Sequence, residues 1–107
     1  MRSEINQEHF VDSEGRPDGG TTYGPGFAIG WQKGPLGRGD ERKPQNGAFV
    51  EDIIQAAIGR IHFYQKSKFY CEENAEALIH LHKAAEALDQ RTKRREAANV
   101  EGTHAGN

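Results

Sequence analysis

AFVEDIIQAAIGRIHFYQKS, residues 48–67, is the stretch that decides the fold. Phe49, Val50, Ile53, Ile54, Ala57, Ile58, Ile61 and Tyr64 recur at intervals that a 3.6-residue period gathers into one wide apolar stripe. Glu51 and Asp52 stand in the first turn, and Lys66 and Lys68 lie at the far end. That is the charge order a helix dipole favours. The spacing predicts a helix over about 48–67, with Gly59 as a weak interior point that marks close helix packing. Shortly downstream, CEENAEALIHLHKAAEALDQRTKRREAA, residues 71–98, carries a second helical pattern. Cys71, Asn74, Leu78, Leu81, Ala85, Leu88 and Thr92 recur at heptad spacing. Glu72, Glu73 and Glu76 load its start, and Lys93, Arg94 and Arg95 its end. The connection between the two is short, so the helices should be antiparallel neighbours.

Upstream the pattern changes. Most of the thirteen glycines precede residue 48. Gln7 to Val11 reads as a short strand. A turn cluster occupies 14–20, EGRPDGG. Phe27, Ile29 and Trp31 alternate with Ala28 and Gly30, the period-two signature of a second strand paired to the first as a hairpin. KGPLGRGDERKPQNG, residues 33–47, holds two prolines and four glycines and so forms a loop, ordered or mobile, rather than a helix. The expected class is α+β: a small N-terminal antiparallel sheet, then a long C-terminal antiparallel two-helix hairpin. The expected division is a β region with its basic glycine loop at 1–47, the hairpin at 48–98 and a tail at 99–107, within one domain.

Two helices cannot bury so wide an apolar surface. The N-terminal half offers few large apolar side chains, among them Ile5, Phe10, Val11, Tyr23, Phe27, Ile29, Trp31 and Leu36. The missing core must come from other copies of the chain, so a homo-oligomer is expected. Net charge is −2. Residues 1–47 carry six Lys/Arg against seven Asp/Glu, and residues 48–107 eight against nine. Extended phosphate tracking along a nucleic acid needs a basic excess that is absent here. One cysteine, Cys71, excludes an intrachain disulfide and fits a reducing compartment. No apolar run suggests a signal peptide or a membrane span.

The candidate chemistry is that of binding. GPLGRG, residues 34–39, has glycines that let backbone amides approach an anion, with Arg38, Arg42 and Lys43 supplying charge. Asp40 and Glu41 stand where a nucleotide-hydrolysing phosphate loop needs Lys and Ser/Thr, so that class is excluded. Phe63, Tyr64, Phe69 and Tyr70 cluster around the helix turn, as core packing or as a base-stacking platform. Asn74 in the heptad seam either fixes register or reads an adenine edge, since its amide both donates and accepts. The basic run 91–95 complements the helix dipole or converges with its copies on an anion. His80 and His82 are two apart and face different ways, and no Cys/His group has zinc spacing, so no metal or other cofactor is expected. Nothing places a base beside Cys71, and no enzyme activity is expected.

WQKGPLGRG (31–39), PQNGAFVED (44–52), FYQ (63–65), F-x-C-x-E-N-A (69–75), R-T-x-x-R-E (91–96) and VEGTH (100–104), in that order and spacing, resemble the phage Thoeris anti-defence sponge family. The resemblance spans about residues 31–104, and the helical pair is also similar to the hairpin of phage anti-CBASS sponges. It implies a non-enzymatic protein of the host bacterial cytoplasm. Such a protein sequesters cyclic ADP-ribose isomers made by TIR-domain enzymes, so that the defence effector is never activated. It also implies a small sheet and a helical hairpin assembled into dimers and hexamers. Some members of the family hold cyclic di- or trinucleotides at a second site. Carried onto this chain, the resemblance implies that Arg38 and Arg42 meet phosphate oxygens and that Phe63 or Tyr64 stacks on the base. Asn74 would read adenine, and Arg91 would close the pocket from a neighbouring protomer. Thr92, Arg95, Thr103 and His104 are the candidates for the second site. The alternatives are a small nucleic-acid-binding protein and a helical protein–protein adaptor.

Overall fold

The helical pair forms as its periodicity predicts. In the computed structural model, which describes residues 4–106, α1 spans Val50–Gln65 and α2 spans Glu72–Ala97. Each is a residue or two shorter at its ends than the spacing suggested. Cys71 stands outside α2 as its N-cap, its Sγ accepting the Asn74 N–H at 3.4 Å. Ala98 is the C-cap. Along α2 the residues withdrawn from solvent are Asn74, Ala77, Leu78, Leu81, Ala85, Leu88, Thr92 and Arg95, a seam that keeps the heptad spacing. The His62 ring lies 5.7 Å from that of His82, whereas Glu51 and Gln55 share a groove with residues 82–92. The helices therefore run antiparallel. Gly59 does not mark close packing: a Cβ there would meet nothing within 4 Å.

Val50–Asn99 forms one compact unit. The chain before it joins the segment from Val100 in a second. The second unit holds a three-stranded antiparallel meander, with β1 at Asn6–Val11, β2 at Pro17–Gly24 and β3 at Phe27–Gly30, in spatial order β1-β2-β3. The central strand β2 was not expected, because its sequence, PDGGTTYG, consists largely of residues that strands disfavour. Most of the turn cluster read at 14–20 belongs to it, and the chain reverses just before. The Asp12 carboxylate accepts the N–H groups of Glu14 (2.9 Å) and Arg16 (3.0 Å). It also accepts Arg16 Nε at 2.8 Å, which makes an ion pair.

Gly20 suits the centre of this sheet because its backbone passes close to β1. A Cβ there would stand 2.2 Å from the Glu8 carbonyl oxygen, where the β1–β2 register is irregular between His9 and Val11. The Pro25-Gly26 turn then returns β2 into β3, with Gly24 paired to Phe27. On one face Trp31 Nε1 donates to Thr22 Oγ1 at 2.7 Å, and Thr22 Oγ1 donates to Gln7 Oε1 at 3.2 Å. That chain of bonds links β1, β2 and the end of β3. Thr22 is buried.

Among the described residues Ile58 is the only buried hydrophobic side chain, whereas Phe10, Val11, Val50, Phe63, Phe69, Tyr70 and Ile79 are more than half exposed. Within the described helices, none is long and apolar enough to cross a membrane.

Candidate functional site

The glycine loop is an ordered structure fastened at its base and near its tip. At the base, Gln32 Oε1 accepts the N–H groups of Asn46 (2.9 Å) and Gly47 (3.2 Å). Asn46 returns the contact, accepting the Lys33 N–H at 2.8 Å and donating to the Lys33 carbonyl at 2.9 Å. Two side-chain amides thus extend the short backbone bridge between Trp31 and Ala48, where the Gln32 N–H donates to the Ala48 carbonyl at 3.0 Å. A bond from the Lys43 N–H to the Leu36 carbonyl, 2.6 Å, draws the loop in again. A 3₁₀ turn at Gly39–Glu41 forms the tip.

The segment after Val100 straps this loop. The Gly37 N–H donates to the Gly102 carbonyl at 2.8 Å, and Arg38 Nη1 donates to the Glu101 carbonyl at 2.9 Å. Arg42 Nη1 meets the Glu101 carboxylate at 2.5 Å and the Gly37 carbonyl at 3.2 Å. Gly102, at φ 79°, passes so close that a Cβ would stand 2.4 Å from the Gly37 carbonyl oxygen. Thr103 and His104 follow at once, and the Thr103 hydroxyl donates to the Val100 carbonyl at 2.5 Å. Four of the ten candidate residues, Arg38, Arg42, Thr103 and His104, therefore belong to one loop-and-strap cluster. Glu101 and Gly102 are neighbours of these candidates that the sequence did not single out. The only signal was their place in VEGTH, because bonds across some sixty residues leave no local pattern.

The other six candidates lie on the helical unit, at opposite ends of it. At the turn end, the Arg60 guanidinium stands 4.9 Å from the centroids of both the Phe63 and Tyr64 rings. This cation–π pair arises from i,i+3 and i,i+4 spacing, so Arg60 was readable from sequence and was missed. Asn74 Nδ2 donates to the Phe69 carbonyl at 3.3 Å. Gln65 accepts the Cys71 N–H at 3.0 Å and donates to the Cys71 carbonyl at 3.1 Å, closing the turn. Phe69 and Tyr70 project from it, 76% and 71% exposed.

Arg91, Thr92 and Arg95 lie towards the C-terminal end of α2. Seventeen residues separate Asn74 from Arg91, which is about 25 Å of helix rise. One small ligand cannot touch both within a single hairpin. Thr92 lines an open groove of about 600 Å³ with Glu51, Gln55, His82, Ala85, Glu86 and Asp89. Three carboxylates in that lining make the groove of one chain unfavourable to an anion. Arg95 is buried. Among the described residues no three His, Cys, Asp or Glu side chains stand together as a metal cluster.

No family model matches the chain. A relative, Thoeris anti-defense 1 of Bacillus phage SBSphiJ7, is 40% identical over 76 residues, which cover 71% of this chain and 51% of the relative. The chain thus spans about half the length of the relative it matches.

Proposed function

Because the chain belongs to the Thoeris anti-defence family, we propose that it is a non-enzymatic sponge acting in the host bacterial cytoplasm, where it withdraws cyclic ADP-ribose signals from the Thoeris effector. The observation that carries this reading is the loop-and-strap cluster, which holds Arg38 and Arg42 in one place. Guanidinium forks suit pyrophosphate oxygens, and a loop already ordered loses little entropy on binding. At the turn end of the hairpin, Phe63 or Tyr64 offers a face for adenine and Asn74 an amide for its edge.

The pocket is completed between copies of the chain. Asn74 and Arg91 are too far apart along α2 to serve one ligand, so Arg91 comes from a neighbouring protomer. The scarcity of buried hydrophobic side chains supports self-association, from dimers up to a hexamer. Thr92, Arg95, Thr103 and His104 are proposed for a second site that takes cyclic di- or trinucleotides. There a second chain must bring cations to offset Glu51, Glu86 and Asp89.

The test is to incubate the protein with the product of a TIR enzyme, filter, denature by heat and assay what is released. Wild type should withdraw the nucleotide, and Arg38→Ala and Asn74→Ala should weaken retention about tenfold or more, the scale of a lost charge-assisted or buried hydrogen bond. Equal retention by the variants, or none by wild type, sinks the reading. Salt-dependent gel shifts with DNA or RNA would support the nucleic-acid alternative instead.

A further inference from the structure

We propose that the Glu101 carboxylate is a built-in competitor for the anion site, pairing with Arg42 in the empty protein and exchanging for a ligand phosphate on binding. The proposal rests on the sponge reading of the loop and names how that site is regulated.

A guanidinium presents the same forked donors to a carboxylate as to a phosphate. Glu101 holds Arg42 through its side chain, but it holds Arg38 through its backbone carbonyl. Another strap bond, from the Gly37 N–H to the Gly102 carbonyl, is also backbone. Exchange of the carboxylate on Arg42 leaves the backbone bonds to Arg38 and Gly37 in place. The pair is accessible to an incoming anion, with side chains 42% exposed for Arg42 and 25% for Glu101.

Charge gives the exchange its purpose. Lys33, Arg38, Arg42 and Lys43 supply four positive charges to the loop, and Asp40, Glu41 and the strap's Glu101 supply three negative ones. With Glu101 in place the formal charge is +1, and with its carboxylate swung out the loop presents +2 towards the ligand. The strap thus fixes the loop's shape with its backbone and masks its charge with one side chain. Binding must overcome that mask, which lowers affinity for stray monoanions and for ligand alike.

Calorimetric titration of the full chain with inorganic pyrophosphate, and separately with ADP-ribose, tests this. Glu101→Gln should bind pyrophosphate about two- to fivefold more tightly than wild type, the worth of an exposed ion pair. Glu101→Asp keeps the charge and should stay near wild type. Arg42→Ala should bind more weakly, and in the Glu101→Gln/Arg42→Ala double variant the gain should vanish. If Arg42→Ala weakens binding but Glu101→Gln does not strengthen it, the exchange is wrong and the sponge site stands. If Arg42→Ala binds as wild type does, Arg42 is not part of an anion site, and both readings of this loop fall. A measurement on wild type alone covers the case in which a variant misfolds. The carboxyl carbon resonance of Glu101 should shift on saturation with pyrophosphate, and an unmoved resonance overturns the proposal.

Discussion

Asp12 closes the β1–β2 turn by accepting two backbone N–H groups and the Arg16 guanidinium. The backbone bond from Arg16, then its side-chain bond, lower the carboxyl pKa from 3.8 to about 2. A carboxyl whose folded pKa lies below its unfolded value stabilises the turn above the unfolded value. It loses that contribution as pH falls through about 2. An NMR titration should find the Asp12 carboxyl still ionised near pH 3, and Asp12→Asn should abolish this pH dependence of the turn. At the other fastening of the same unit, Gly102→Ala forces a Cβ into the Gly37 carbonyl at positive φ. It should destabilise the protein by more than about 1 kcal/mol in urea denaturation and loosen the loop. Neither role was readable in advance. Asp12 lies outside the turn cluster read at 14–20, and Gly102 stands in the VEGTH segment with no local sign of the close approach to Gly37.

At the scale of elements, the helices were legible because their information is local. Stripe, heptad and end charges repeat every few residues, and the structure keeps that spacing along the α2 seam. Ile58→Ala should cost about 2–5 kcal/mol, because it empties the one well-buried apolar position of the hairpin. Gly59→Ala should do the reverse. With open space at the Cβ position, the helix gains about 0.5–1 kcal/mol, seen as a higher melting temperature. A loss there would mean that a neighbouring chain packs against that face. The sheet was half legible. β1 and β3 carry enough β-branched and aromatic residues to be seen, whereas β2 is a strand only because two neighbours pair with it.

At the scale of the whole molecule, the proposed pocket needs more than one chain, and that can be tested by complementation. Asn74→Ala and Arg91→Ala should each lose ligand retention when pure. If every site takes Asn74 from one protomer and Arg91 from another, mixed oligomers of the two variants should regain part of it. A mixture as inactive as its components would place both residues in one protomer's site or in none. Light scattering of wild type should give a mass above that of the 11.9 kDa chain. The two helices and the basic glycine loop are written in the order of the residues, because periodicity and charge order are local properties of the chain. It took the folded chain to show that β2 is the sheet's centre and that the Val100–His104 segment straps the loop and puts Glu101 on Arg42. Those facts depend on hydrogen bonds between residues far apart in the chain, where neither partner's identity is constrained by its neighbours.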